Sequence, residues 1–173
     1  MFPLPKARVV ALVSAVLLGL AGCGGDSGFG RKPRSDLACM ERAIYFEANR
    51  SSREGMIAVG NVVMNRVRSP QYPNSVCAVV GQKNQFAPGV LTRRMDIRAA
   101  PEVRRAAIDV LRGERHPRIG NAMFFHTHGY RFPYDNMHYV LVAGGNAFYE
   151  KRKRHLVTQP VPPRSSDGPG RRR

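Results

Sequence analysis

Apolar residues spaced three or four apart predict two consecutive helices early in the folded part of the chain. The first stripe falls within residues 36–49, and its members are Met40, Ala43, Ile44 and Ala48. The second falls within residues 53–68 and is wider, with Met56, Val59, Val63 and Val67 flanked by Ile57, Val62 and Met64. The polar residues 49–52 between them favour a helix end followed by a new cap. We expect the second helix to be a buried scaffold, in which Gly60 marks a close approach of another helix.

Shorter segments further along the chain complete the predicted fold. Residues 101–113 begin at Pro101, stop at Gly113 and carry one apolar stripe, which predicts a third helix. The runs AMFF at 122–125 and YVLVA at 139–143 favour short β-strands. Residues 81–92 are polar and punctuated by Gly and Pro, which is typical of a loop. The predicted class is α+β, mainly helical, with a small β-hairpin or sheet element.

The start of the chain has the pattern of a bacterial lipoprotein. Lys6 and Arg8 precede a short apolar run at 9–20, and the sequence LAGC follows at 20–23. We interpret residues 1–22 as a lipoprotein signal peptide and Cys23 as the lipidated first residue of the mature chain. An ordinary secretory signal or a short anchor helix is the alternative. Gly24 after the cysteine resembles the signal that directs lipoproteins to the outer membrane. We therefore expect the mature protein at the periplasmic face of that membrane.

Composition divides the remaining chain into one domain and two flanking segments. Residues 23–34 are rich in Gly, Pro and Arg and predict a flexible tether, and residues 158–173 predict a disordered basic tail. The folded domain is expected at 35–157. If the chain is exported, Cys39 and Cys77 remain as an even pair in an oxidising compartment, which favours a disulfide over two free thiols.

Glu47 is the candidate for catalytic chemistry. It lies in the last turn of the first predicted helix, on the apolar side because it follows Ile44 by three residues. The negative end of the helix dipole and partial burial beside Phe46 would both raise the pKa of this carboxyl group. A carboxylic acid that is protonated near neutral pH is what a general acid for glycosidic cleavage requires. From spacing alone, a solvated surface glutamate is the alternative.

The segment 43–73 resembles the opening of the SleB-type cell-wall hydrolases, the spore-cortex-lytic enzyme family. The family pattern A-x-Y-x-E-A, then G, then A-V-x-x-V-x-x-N-R-V, then S-x-x-[FY]-P falls on Ala43, Tyr45, Glu47, Ala48, Gly55, Ala58, Val59, Val62, Asn65, Arg66, Val67, Ser69, Tyr72 and Pro73. The resemblance implies a lysozyme-like fold that cleaves peptidoglycan glycan strands, with Glu47 as the essential acid.

The same resemblance suggests which residues bind the substrate. Tyr45 belongs to the first motif, and Gln85 and Phe86 stand where the family lines its saccharide cleft, although Phe86 could equally fill the core. His126 stands in a strand that borders the cleft, where it would hydrogen-bond sugar or orient Glu47. The closing motif G-x-H-x-F-Y ends here at Tyr149, with Asn146 in place of its histidine, so we expect hydrogen bonding but no proton transfer at that position.

The ionisable residues suggest chemistry with a single acid. Three histidines within 126–138 lack a carboxylate or cysteine at a familiar ligand spacing, so we predict neither a metal nor a cofactor. Glu41 and Glu54 are expected to be solvated, and only Asp96 and Asp135 are eligible as a second catalytic carboxylate. Without a supporting motif for either, the sequence favours a lytic transglycosylase that forms 1,6-anhydromuramoyl products over a hydrolytic muramidase.

The net charge indicates an anionic partner. The chain has 28 Lys and Arg against 12 Asp and Glu, a formal charge of +16. Such a charge suits nucleic acid, but an exported chain without a nucleic-acid motif argues against that partner. Peptidoglycan stem carboxylates and anionic outer-membrane sugars are the expected counterparts. A non-catalytic peptidoglycan-binding lipoprotein and an amidase that cuts the stem peptide remain alternatives.

Overall fold

The fold consists of four helices followed by a small antiparallel sheet. The structure is a computed structural model that describes residues 35–98 and 100–168. The helices are α1 (Asp36–Ala48), α2 (Arg53–Arg68), α3 (Val76–Val80) and α4 (Pro101–Leu111), and the strands are β1 (Phe124–Thr127), β2 (Met137–Ala143) and β3 (Asn146–Lys151). The predicted signal peptide, Cys23 and the tether at 23–34 lie outside the described residues. None of the helices in the described ranges has the length and hydropathy to cross a membrane.

Helices α1 and α2 confirm the pattern of apolar positions. The side chains of Ser35 and Ser52 cap them by accepting the backbone N–H of Ala38 and Gly55. The middle of α2 is buried, and a Cβ atom placed on Gly60 would lie 2.8 Å from a methyl carbon of Val110 in α4. The predicted close approach at Gly60 is therefore confirmed, with α4 as the neighbouring helix.

A disulfide joins α1 to α3. Cys39 of α1 and Cys77 of α3 are bonded, with their Cα atoms 5.2 Å apart. Helix α3 is a single short turn that the sequence pattern does not predict. It leads directly into the loop at 81–92, so the bridge links this loop to the helix that carries Glu47.

The sheet has the order β1–β3–β2, with both pairs antiparallel. Strand β3 is an element that the sequence analysis did not predict, and its Phe148 is fully buried in the core. The β2–β3 turn passes through Gly144 and Gly145, both with positive φ. Gly144 rests against the start of α2, where a Cβ atom on Gly55 would lie only 2.5 Å from the Cα atom of Gly144. Two glycines thus allow the sheet and the scaffold helix to meet backbone to backbone.

The prediction of a disordered tail at 158–173 is corrected for residues 158–167. The carbonyl of Gln159 accepts the N–H of Tyr139 at 2.9 Å, and the N–H of Ser166 donates to the carbonyl of Val142 at 2.8 Å. The carboxylate of Asp167 accepts the N–H of Gly144 at 2.7 Å. Composition could not predict this, because β2 offers open backbone groups at its edge that an extended segment can pair with.

Glu41 also differs from its prediction. It was expected to be solvated, but it is 5% exposed and forms an ion pair of 2.6 Å with Arg104 of α4. The packing of α4 against α1 covers this side of α1, and the arginine supplies the partner that a buried carboxylate needs. Glu54 has a half-exposed side chain, as predicted.

Candidate active site

Glu47 lies in the last turn of α1, at the edge of a surface cavity of about 490 Å³. Its Oε1 atom accepts the backbone N–H of Ala87 at 2.7 Å, which fixes the carboxyl group against the loop at 81–92. The cavity combines residues of α1, α2, this loop, β1 and β3. Its lining consists of Phe46, Glu47, Arg66, Asn84, Gln85, Phe86, Ala87, Phe125, His126, Thr127 and Asn146.

The environment of Glu47 favours the protonated acid. Burial raises the pKa of Glu47 above its ordinary value, because desolvation penalises the carboxylate. The N–H of Ala87 and the positive charge of Arg66 oppose this effect and lower the pKa, but burial is the largest cause. The predicted direction of the shift is therefore confirmed. The same two groups would stabilise the carboxylate once the proton has been transferred.

Arg66 is a buried cation in the cavity wall that the sequence analysis did not name as a site residue. Its guanidinium carbon lies 5.3 Å from the ring centroids of Tyr72 and Phe86 and 5.9 Å from that of Phe124. Its Nε–H donates to the carbonyl of Met123 at 2.8 Å. A signal was present, because Arg66 follows Val62 by four residues and so shares the buried side of α2.

Four of the residues predicted to bind substrate do line the cavity with Glu47. Gln85 and Phe86 come from the loop, His126 from β1 and Asn146 from β3. The two interpretations of Phe86 both hold, because the residue is 9% exposed, packs in the core and still forms part of the wall. Asn146 pairs with Thr127 across the β1–β3 ladder, which brings both polar side chains to the cavity.

Two other predicted binding residues do not line this cavity. Tyr45 precedes Glu47 by two positions, so the helix turns the two side chains to different sides. Tyr45 is partly buried against the core instead. Tyr149 stacks on Phe124 with ring centroids 5.4 Å apart and lies behind His126. Contact of these two residues with substrate stays a prediction that the lining of this cavity does not support.

His126 does not orient Glu47. Its Nδ1 atom lies 2.9 Å from the carbonyl oxygen of Thr127, and its Nε2 atom lies 2.9 Å from the hydroxyl of Tyr139. Both ring nitrogens are thus engaged by groups other than Glu47, while His126 still forms part of the cavity lining. The hydrogen bond that holds Glu47 comes instead from the backbone of Ala87.

A second hollow continues from Glu47 in another direction. It has a volume of about 220 Å³ and shares Phe46 and Glu47 with the larger cavity. Its remaining lining comes from residues 48–51 and from Gly144. Glu47 therefore stands between two depressions. This geometry suits a chain molecule whose scissile bond lies at the carboxyl group while its units extend to both sides.

Glu47 is the sole carboxylate among the described residues that line the larger cavity. Asp96 and Asp135, the two eligible partners, are not part of this lining, and Asp135 forms a solvent-exposed ion pair with Arg154. Within residues 35–98 and 100–168, no group of three or more His, Cys, Asp or Glu side chains is arranged to hold a metal ion. Glu47 is therefore the carboxylic acid of this lining that can transfer a proton.

This fold is that of the SleB catalytic domains. The structure is similar to the crystal structure of the catalytic domain of the Bacillus cereus SleB protein, with a TM-score of 0.57 and 23% identity over 73% of this chain and 99% of that chain. It is also similar to the catalytic domain of the germination-specific lytic transglycosylase SleB from Bacillus anthracis, with a TM-score of 0.55 and 24% identity over 68% and 96% of the two chains. At these identities the likeness establishes the fold.

The chain belongs to the Cell Wall Hydrolase family, whose model matches residues 50–149. The matched range begins just after Glu47, so membership does not depend on that residue. The spore cortex-lytic enzyme of Bacillus subtilis (strain 168) is 30% identical over 79 residues, which cover 46% of this chain and 26% of that protein. The spore cortex-lytic enzyme of Halalkalibacterium halodurans is 34% identical over 84 residues, or 46% and 24%. The match thus spans about a quarter of the length of these relatives.

Proposed function

We propose that the protein cleaves the glycan strands of peptidoglycan between N-acetylmuramic acid and N-acetylglucosamine, with Glu47 as the proton donor. The observation that carries this proposal is a partly buried carboxyl group with a raised pKa that lines two hollows of the surface. Membership of the Cell Wall Hydrolase family supports peptidoglycan as the substrate. The amide and aromatic side chains of Gln85 and Phe86 suit the acetamido groups and ring faces of amino sugars.

The single carboxylate supports a lytic transglycosylase mechanism. Protonated Glu47 donates its proton to the glycosidic oxygen, and the bond between this oxygen and C1 of the muramoyl residue breaks. The resulting carboxylate then takes the proton of the muramoyl 6-hydroxyl group, whose oxygen attacks C1 and closes a 1,6-anhydro ring. Between these steps, the N–H of Ala87 and the charge of Arg66 stabilise the carboxylate. No second carboxylate is needed, because the nucleophile belongs to the substrate.

Glu47→Gln tests this mechanism in purified peptidoglycan sacculi. The amide keeps an oxygen that can accept the N–H of Ala87 but cannot donate a carboxylic proton, so we expect the cleavage rate to fall by about 10²–10⁴. Glu54→Gln, at a half-exposed glutamate of α2, is the matched control and should retain the rate. Mass spectrometry of the wild-type products should show 1,6-anhydromuramoyl ends.

The alternatives give different results in the same experiment. Reducing-end muramic acid in the products would replace transglycosylation by hydrolysis, and released stem peptides would indicate an amidase. A non-catalytic binding protein would show no cleavage with either wild type or variant. Equal cleavage by wild type and Glu47→Gln would refute the role of Glu47.

We also propose that the mature chain is anchored by a lipid on Cys23 at the periplasmic face of the outer membrane. The LAGC sequence and Gly24 support this location, and the net charge of +16 supports attraction to anionic wall components. Cys23→Ser should move the protein from the membrane fraction to the soluble fraction of the cell envelope. A variant that stays in the membrane fraction would contradict lipidation at this residue.

A further inference from the structure

Another cavity, separate from the two hollows at Glu47, lies between the segment after β1 and residues 160–162. Its volume is about 440 Å³, and its lining includes Tyr130, Arg131, Phe132, Tyr139 and Val161. Four of the five large apolar side chains that are exposed in the described residues are found in this lining or next to it. Tyr130 and Tyr134 are each 66% exposed, and Phe132 is 44% exposed. We call this feature the aromatic hollow; Tyr134 borders it by stacking on Phe132.

The aromatic hollow adjoins the catalytic cavity at His126. His126 lines the catalytic cavity, and its ring forms an edge-to-face contact with the ring of Phe132, with centroids 4.8 Å apart. Its Nε2 atom also lies 2.9 Å from the hydroxyl of Tyr139. Phe132 and Tyr139 both line the aromatic hollow. The aromatic hollow is therefore the neighbouring depression for a chain molecule that extends beyond the catalytic cavity on the side of His126.

The chemistry of the aromatic hollow fits an amino-sugar polymer. Phe132 and Tyr134 present nearly parallel rings, with an interplanar angle of 11°, and such flat apolar faces suit the C–H faces of sugar rings. Arg131 supplies a guanidinium group that can bind a stem-peptide carboxylate in a bidentate manner. Exposed apolar patches with polar surroundings mark binding surfaces. Because the aromatic hollow adjoins the groove at Glu47, we expect its occupant to be the same glycan strand that is bound in the groove.

We propose that the aromatic hollow is a distal subsite that holds a glycan strand beyond His126, outside the cavity in which the bond at Glu47 is cleaved. The proposal rests on the proposed function for the identity of the strand. Its consequence is a preference for long strands over short fragments, because only a long strand occupies the groove and the aromatic hollow at the same time.

The test compares the full-length protein with a Tyr130→Ala/Tyr134→Ala double variant. Both side chains project into solvent, so their truncation leaves the core intact. We expect the ratio of kcat/KM on long glycan strands to kcat/KM on a tetrasaccharide to fall about tenfold, since two ring contacts are lost. Leu156→Ala removes another exposed apolar side chain, 52% exposed and outside this lining, and should leave the ratio unchanged.

A binding arm separates this proposal from the proposed function. In a Glu47→Gln background, the double variant should bind purified sacculi with a Kd about tenfold higher than Glu47→Gln alone. This result would support the distal subsite even if the wild type cleaved no glycan. The lack of cleavage would then refute the proposed function only. An unchanged kcat/KM ratio together with an unchanged Kd would overturn the distal subsite while cleavage by Glu47 stood. If the double variant lost binding to phosphatidylethanolamine and phosphatidylglycerol vesicles but retained binding to sacculi, this would also overturn the distal subsite. The aromatic hollow would then be assigned to a membrane surface.

Discussion

Removal of the bridge between Cys39 and Cys77 should lower the stability of the domain while leaving its fold intact. The bridge closes a segment with a sequence separation of 38 that includes α2 and the residue Glu47. It also ties α1 to α3, which precedes the loop that supplies Ala87 to Glu47. The bridge thus constrains the two elements that meet at the candidate catalytic carboxyl group.

The expected magnitude follows from the length of the closed segment. With the sequence separation of 38, the chain-entropy model gives a stabilisation of about 3.9 kcal/mol at 25 °C. A folded part of roughly 130 residues has an unfolding entropy near 2.1 cal/mol/K per residue, so this loss corresponds to a Tm lower by about 14 °C. A fall of this size is a large fraction of the stability of an ordinary domain.

Urea denaturation measures this effect directly. A Cys23→Ser background leaves Cys39 and Cys77 as the remaining thiol pair, given three cysteines in the chain. The oxidised protein is then compared with the same protein in reductant, which keeps both sulfur atoms and removes only the bond. A Cys39→Ala/Cys77→Ala variant serves as the control and should not respond to reductant.

Two outcomes would refute the reasoning about the bridge. Equal unfolding free energies for the oxidised and reduced proteins would show that the link does not restrict the unfolded chain. Two reactive thiols in the denatured, unreduced protein would show that the bridge does not form.

Two further predictions concern the candidate acid and the packing of α2. Arg66 lowers the pKa of Glu47, and in the proposed mechanism the protonated acid is the donor. Arg66→Gln should therefore move the alkaline fall of kcat to higher pH, and Arg66→Lys should move it less. An alkaline limb that stays in place in the Gln variant would contradict this. Gly55→Ala should destabilise the protein by about 1–3 kcal/mol in urea denaturation, because the new methyl group meets the backbone of Gly144. Gly60→Ala should cost less, since its new contact is a side chain that can move, and the opposite order would refute this account of the two glycines.

Local pattern was sufficient for α1, α2 and α4 and for the positions of β1 and β2, but not for α3 or β3. The stripes at 36–49 and 53–68 correspond to α1 and α2, and Pro101 begins α4 as predicted. These helices depend on contacts between residues three or four apart, which the sequence displays directly. Strand β3 and the pairing of residues 158–167 with β2 depend on partners distant in the chain, and local composition does not reveal such partners.

The candidate site, like the fold, could be predicted from the sequence only in part. Sequence alone placed Glu47 on the apolar side of α1 and, through resemblance, directed attention to Gln85, Phe86, His126 and Asn146, which all line the cavity. The family and the fold class were also reached from the sequence, and the comparisons confirm both.

Only the tertiary structure decided the surroundings of the acid. Ala87 contributes a backbone N–H that any residue type except proline could supply, so no sequence motif predicts its bond to Glu47. Arg66 lies among three aromatic rings that come from separate segments, and Tyr45 and Tyr149 pack outside the lining of the cavity. The sequence determines which side of each helix is apolar, because that property is periodic along the chain. The pKa of a carboxyl group depends on burial and nearby charge, and these are set when distant segments pack together.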